Sequence, residues 1–298
     1  MAPESLTART LEELPTHLSS YGYHRDPFAR TCLSMISTGI HTWGFVIYRC
    51  TYDDDELWDR YLAQLKSLCH DELVNDKRAE LLEPHLDWVV VEDPATLDNA
   101  SRFQVRKHFN QWVAEQNVPL HAAKNYINCF PIQLPRFRYC LYVDKQCLET
   151  VIQFQEANDG TKMFISTLPP LVFAVVDRIW TPNGTEDPFD VFEAVEKEKA
   201  DAKKHGDGEQ DDEEEEDDDD EDEEEEEEYE YVDEEEEYDR GYPLVDGSDR
   251  RYVGWMYCNA WCVAGIYEML HNTDGLDDYG SYLRPPGIWP GKDRSMPT

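Results

Sequence analysis

Thiols, imidazoles, guanidinium groups and carboxylates are the side chains here that could do chemistry, and their spacing decides which chemistry is open. Cys258 and Cys262 stand four residues apart with His271 further on, and such donors could begin a zinc site. Four residues on a helix bring two side chains to one face, yet no second histidine follows His271 at ligand spacing and no fourth donor is evident. The same pattern is met by small buried hydrophobes beside Trp261, and this plainer reading is favoured. Cys69 and His70 are adjacent, but helix neighbours point about 100° apart, which argues against a nucleophile–base dyad. His41, His85, His108 and His121 have no motif around them. The chain contains no G-x-S-x-G, P-loop, G-x-G-x-x-G or H-E-x-x-H pattern, which removes the commonest hydrolase and nucleotide chemistries. No cofactor and no metal is expected.

Arg49, Arg136 and Arg138 lie on expected strands beside aromatic residues. They could form a cationic patch for an anionic ligand or for an acidic segment of the chain itself. Alternatively they are strand-edge arginines whose stems lie along Tyr48 and Tyr142.

The strongest signal is a run from Asp211 to Asp239 in which 25 of 29 residues are Asp or Glu. Neighbouring carboxylates lie well inside one Debye length, roughly 8 Å at physiological salt, so they repel one another and oppose compaction. The run buries too little apolar surface to offset its ordering entropy, so disorder is expected. Three uses remain open: a solvating spacer, a weak cation sink, or a polyanion that binds basic proteins. In the last, Asp211, Glu213, Asp217, Glu221, Glu225 and Glu235 supply charge, while Tyr229 and Tyr231 stack on arginine.

Composition narrows the partners. The chain has 27 basic against 65 acidic residues, a formal charge of −38, and without the run it still carries −13. Direct nucleic-acid binding and docking on anionic membranes are both disfavoured for want of a basic footprint. The eight cysteines form no disulfide-scaffold pattern, and Met1 to Ser19 has no apolar signal core, so an intracellular protein with reduced thiols is expected.

These groups must be positioned by elements that the apolar pattern outlines. Strands are expected at Trp43–Tyr52, Leu86–Glu92, Arg136–Val143 and Leu171–Val176, with a short one at Met163–Ile165. A helix capped in Asp53–Asp55 should bury Leu57, Trp58, Tyr61, Leu62, Leu65 and Leu68, and another from about Asp98 to Gln116 should bury Val105, Phe109, Trp112 and Val113. Asp144 should cap a short helix burying Leu148, Val151 and Ile152, and Asp187-Pro188 should open another. Residues 253–270 read as a strand followed by a helix, packing back after the run.

The expected fold is α+β, a ferredoxin-like or related sandwich of about four strands interrupted by the acidic insertion. Its parts are a flexible N-terminal arm at 1–20, an α+β domain at 21–204, a disordered acidic insertion at 205–241, a return segment packing on that domain at 242–283 and a Pro-rich tail at 284–298.

Three stretches carry a resemblance: Trp43-Gly44-Phe45-x-Ile47-Tyr48-Arg49-x-Thr51-Tyr52, Pro135-Arg136-Phe137-Arg138-Tyr139-x-Leu141-x-Val143-Asp144, and Gly254-Trp255-Met256. Over about residues 40–270 the chain resembles a family of intracellular proteins of filamentous fungi that often carry acidic insertions. The resemblance implies a fungal source and one globular domain; the family has no assigned activity, so it implies no catalytic residue. The expectation is a non-catalytic binding or regulatory protein, cytoplasmic or nuclear, that engages basic proteins or basic peptide segments. The alternative is a small-molecule enzyme of fungal metabolism with a cleft on the sheet.

Overall fold

Local signals account for where most elements begin and end. Helix α1 (Ala29–Thr38) stops at Gly39, whose φ of 70° lets its amide reach Met35 O at 3.0 Å. Strand β1 (Val46–Arg49) is buried throughout. The Asp54 carboxylate accepts from Leu57 N at 2.8 Å and opens α2 (Asp55–Asn75), which buries Leu57, Trp58, Tyr61, Leu65, Leu68 and Leu73. After the short α3 (Ala79–Leu82) comes β2 (Val89–Val91), and Asp93 then caps α4 (Pro94–Leu97) with Pro at its first position. A capping box of Ser101 and Gln104 starts α5 (Arg102–Glu115).

A small hairpin, β3 (Tyr126–Ile127) with β4 (Phe130–Pro131), and the single turn α6 (Pro135–Arg138) lead into β5 (Tyr139–Val143). Asp144 caps α7 (Lys145–Ala157) by accepting from Cys147 N at 2.9 Å, and β6 (Val172–Asp177) follows. Beyond the acidic run come β7 (Trp255–Asn259), α8 (Val263–Met269) and β8 (Ile288–Trp289). The computed structural model describes residues 8–14, 27–118, 126–127, 130–131, 134–158, 167–181, 239–272, 275–277, 282–291 and 294–296.

Six strands form one mixed sheet in the order β2-β1-β5-β6-β7-β8. The first three run parallel, β6 is antiparallel to both neighbours, and β8 runs parallel to β7. The α+β class holds, but the four-stranded ferredoxin-like arrangement does not. The parallel start β2-β1-β5 needs crossovers through α2 and α5, which lie on opposite faces. On one face Tyr48 meets Phe109 of α5, and Arg102 of α5 lies 3.6 Å from the Trp255 ring centre. On the other, Arg49 lies over Trp58 of α2, Phe45 meets Tyr267 of α8, and α7 packs beside α2. This is the opening of a doubly wound sheet, extended by three further strands.

Further expectations need correcting. Arg136 and Arg138 belong to the α6 turn, because Pro135 suits a first helical position and the ladder begins only at Tyr139. Ile152 is 37% exposed, on the outer side of α7. Cys258 is a strand residue and Cys262 sits in the single-turn helix before α8, so the two share no helical face. In the N-terminal arm Ala8, Leu11 and Leu14 join the core. The Pro-rich tail supplies edge strand β8. The strand at 163–165 and the helix at 187–195 lie outside the described residues.

Candidate functional site

The acidic run occupies the connection between β6 and β7, which are antiparallel neighbours. Both ends of the connection therefore emerge at one end of the sheet. Asp177 N donates to Gly254 O at 2.9 Å and Trp180 Nε1 to Tyr252 O at 3.3 Å, holding the outgoing and returning chain together. Asp239, the last acid of the run, is fixed to the body: its carbonyl accepts from Arg251 N at 2.7 Å, and its carboxylate lies 3.7 Å from Arg251 Nε. Arg251 also pairs with Asp277. Asp211, Glu213, Asp217, Glu221, Glu225, Tyr229, Tyr231 and Glu235 lie outside the described residues.

At the root of this connection sits a buried charge network centred on Asp177, whose side chain is 1% exposed. Its carboxylate accepts from Arg138 Nη2 at 3.1 Å, Tyr252 OH at 2.9 Å and Ile179 N at 3.1 Å. Arg106 donates to the carbonyls of Asp177, Val253 and Gly254, and Arg178 to Phe137 O and Asn110 Oδ1. Burial pulls the Arg178 guanidinium down to about 10 and lowers Arg106 as well. At Arg138 burial acts in the same sense, but the Asp177 carboxylate overrides it and raises the group. Gly254 is the tight point: at φ of 73°, a Cβ there would overlap the Trp180 ring.

The three arginines considered as a cationic patch are not brought together. Arg49 ends β1 and faces α2, where it pairs with Asp55 and Glu92. Arg136 lies by the opposite end of β1, donating to Gly44 O at 3.0 Å, to Asp87 O and to the Asp87 carboxylate. Arg138 belongs to Asp177. Each guanidinium has a carboxylate partner within the folded body, so the three do not form an open anion site.

Ligands of a doubly wound sheet bind beyond the carboxyl ends of adjacent strands whose following helices part to opposite faces, but here β1 and β5 are followed by α2 and α7, which pack together on one face. The chain before α5 covers these strand ends: Asn99 N donates to Cys50 O at 3.1 Å, and Tyr142 OH to Ala100 O at 3.0 Å. A cleft does open at the amino ends, between Thr31, Ser34, Thr42, Trp43, Arg136 and His271. It is narrow, with room for about one water molecule. His271 Nδ1 faces the carbonyls of Tyr267 and Glu268, and burial lowers its pKa.

The seven cysteines among the described residues are all buried, and burial pushes the thiols of Cys50, Cys69, Cys140, Cys147, Cys258 and Cys262 up, away from the thiolate form. Cys69 is enclosed while His70 faces outward to Glu83. Among the described residues no cluster of three or more His, Cys, Asp or Glu could hold a metal, and no helix is long and apolar enough to cross a membrane.

Searched against family models, curated proteins and solved structures, the chain matches none. The Asp177 network leaves no sequence motif, because Arg106, Arg138, Asp177-Arg178 and Tyr252 come from four well-separated stretches of the chain. Only Asp177 closing an all-apolar strand hinted at it.

Proposed function

We propose that this is a non-catalytic binding or regulatory protein, cytoplasmic or nuclear, whose acidic run engages basic proteins or basic peptide segments. The observation that carries the reading is the run itself, with 25 acids in 29 residues, set between β6 and β7, which are antiparallel neighbours on a packed body. A polyanion presented in this way attracts polycations from a distance and tolerates many sequences, because the attraction needs charge density more than fitted geometry. The arginines of the body support the reading further: Arg49, Arg136 and Arg138 already hold carboxylates of the folded domain. The resemblance to intracellular fungal proteins belongs to the same proposal and brings no activity with it.

A capture experiment tests the reading. Full-length protein is immobilised beside a variant in which the acids of the run are replaced by Asn and Gln at unchanged length. Histones and Lys/Arg-rich peptides should be retained by the first and released by moderate salt, and should pass the second. Equal retention by both would remove the run from the function.

A further inference from the structure

We infer that the cleft at the amino ends of the sheet is a binding site for one water molecule, held jointly by Ser34, Arg136 and His271. The inference is independent of the acidic run and of the function proposed for it.

Three separate elements bring these residues to one place. Ser34 comes from α1, Arg136 from the α6 turn and His271 from just beyond α8, and all three line the cleft. Other polar groups of the lining already have partners. Thr31 Oγ1 donates to Glu268 at 2.7 Å, and Trp43 Nε1 to Leu82 O at 2.8 Å. Arg136 commits Nη1 and Nη2 to Gly44 O, Asp87 O and the Asp87 carboxylate.

Ser34 Oγ, Arg136 Nε and His271 Nε2 have no hydrogen-bond partner among the described residues, yet none of them is sealed from solvent. Ser34 is 4% exposed and Arg136 7%, so the cleft that both line is the outlet for these atoms. His271 Nδ1 lies 3.1 Å from Tyr267 O and 3.3 Å from Glu268 O. A carbonyl only accepts, so Nδ1 carries the proton and Nε2 offers a lone pair. Burial and Arg30 of α1 hold the ring neutral, against Glu268 and the two carbonyls, which favour the cation. The charge of Arg136 is balanced by Asp87.

The remaining atoms therefore form a complementary set: two donors, Arg136 Nε–H and Ser34 O–H, and one acceptor, His271 Nε2. One water accepts from both donors and donates to the imidazole, making the three bonds usual for a buried water. The cleft has room for about one such molecule, and a carboxylate or phosphate is too large for it. Through this water α1, α6 and the end of α8 share a polar link, beside the one that Glu268 makes directly to α1.

Nuclear magnetic resonance on the full chain tests the site. In the wild type, magnetisation should pass from water to the His271 ring proton beside Nε2, with the sign of a held rather than a mobile water. The variant S34V exchanges the hydroxyl for a methyl group and adds a second methyl where the water would sit. It should lose the transfer, and His271 should bind its proton about tenfold more weakly, because the cation loses its only solvating partner at Nε2. No transfer in the wild type refutes the site, and this measurement stands alone should S34V fail to fold. An S34V chain in which either the transfer or the His271 titration is unchanged refutes it as well.

Discussion

Asp177 is the residue on which the root of the acidic connection turns. Its carboxylate is enclosed, paired with Arg138 and bonded by Tyr252, so removing its charge would break a buried ion pair and weaken both bonds. Breaking one partner of such a pair costs roughly 3–5 kcal/mol. D177N should therefore lower the unfolding free energy by about that amount in denaturant titration, and a loss under 1 kcal/mol would contradict the assignment.

Glu72 makes a second prediction at this scale. It accepts from Ala264 N and Gly265 N, yet burial pushes its pKa from the ordinary 4.5 up to about 7, with Asp76 adding to the rise. The folded state then holds a proton that the unfolded chain has released. Its contribution is full below pH 4.5 and is lost as pH rises through 7. E72Q cannot ionise, so the stability difference between wild type and E72Q should shift against wild type by up to about 3 kcal/mol across that window. His271, whose pKa is lowered by burial, contributes in the opposite sense and is common to both proteins. A pH-independent difference would refute the account of Glu72.

Helices in this fold are tied to one another by carboxylates rather than only by apolar faces. Glu72 of α2 caps the start of α8, and Glu268 of α8 accepts from Arg30 N, Thr31 N and Thr31 Oγ1 at the start of α1. E268A should strip three hydrogen bonds from α1 and destabilise the protein by roughly 1–2 kcal/mol, with the fastest amide exchange gained in residues 29–38. Protection unchanged there would mean that α1 is held by packing alone.

Elements of this kind were readable in outline. Asp54 and the repeat from Leu57 to Leu68 announced α2, and Asp144 announced α7. Boundaries failed where two signals competed, as at Pro135-Arg136-Phe137-Arg138, where alternation suggested a strand but proline set a helical turn. In α1 only Gly39 gives a boundary signal, because Phe28, the residue before Ala29, offers no side-chain cap.

At the scale of the whole molecule, what could not be read was pairing. Adding β5 beside β1 and β7 beside β6 is decided by long-range packing, and no local pattern says that a strand beyond a polyanionic run will return to the sheet's interior. The same topology gives the candidate site its form, because antiparallel β6 and β7 bring both ends of the run to one place. The run was evident from composition alone; its anchorage at Arg251 and Asp177 needed coordinates.

Titration calorimetry with one Lys/Arg-rich peptide, performed over a series of salt concentrations on the full chain and on the chain with its run neutralised, bears most directly on this account. The full chain should bind with an affinity that falls at least roughly tenfold between about 0.05 and 0.3 M salt, and the neutralised chain should show no heat of binding at either. Equal, salt-independent binding by both chains, or none by the full chain, would contradict it.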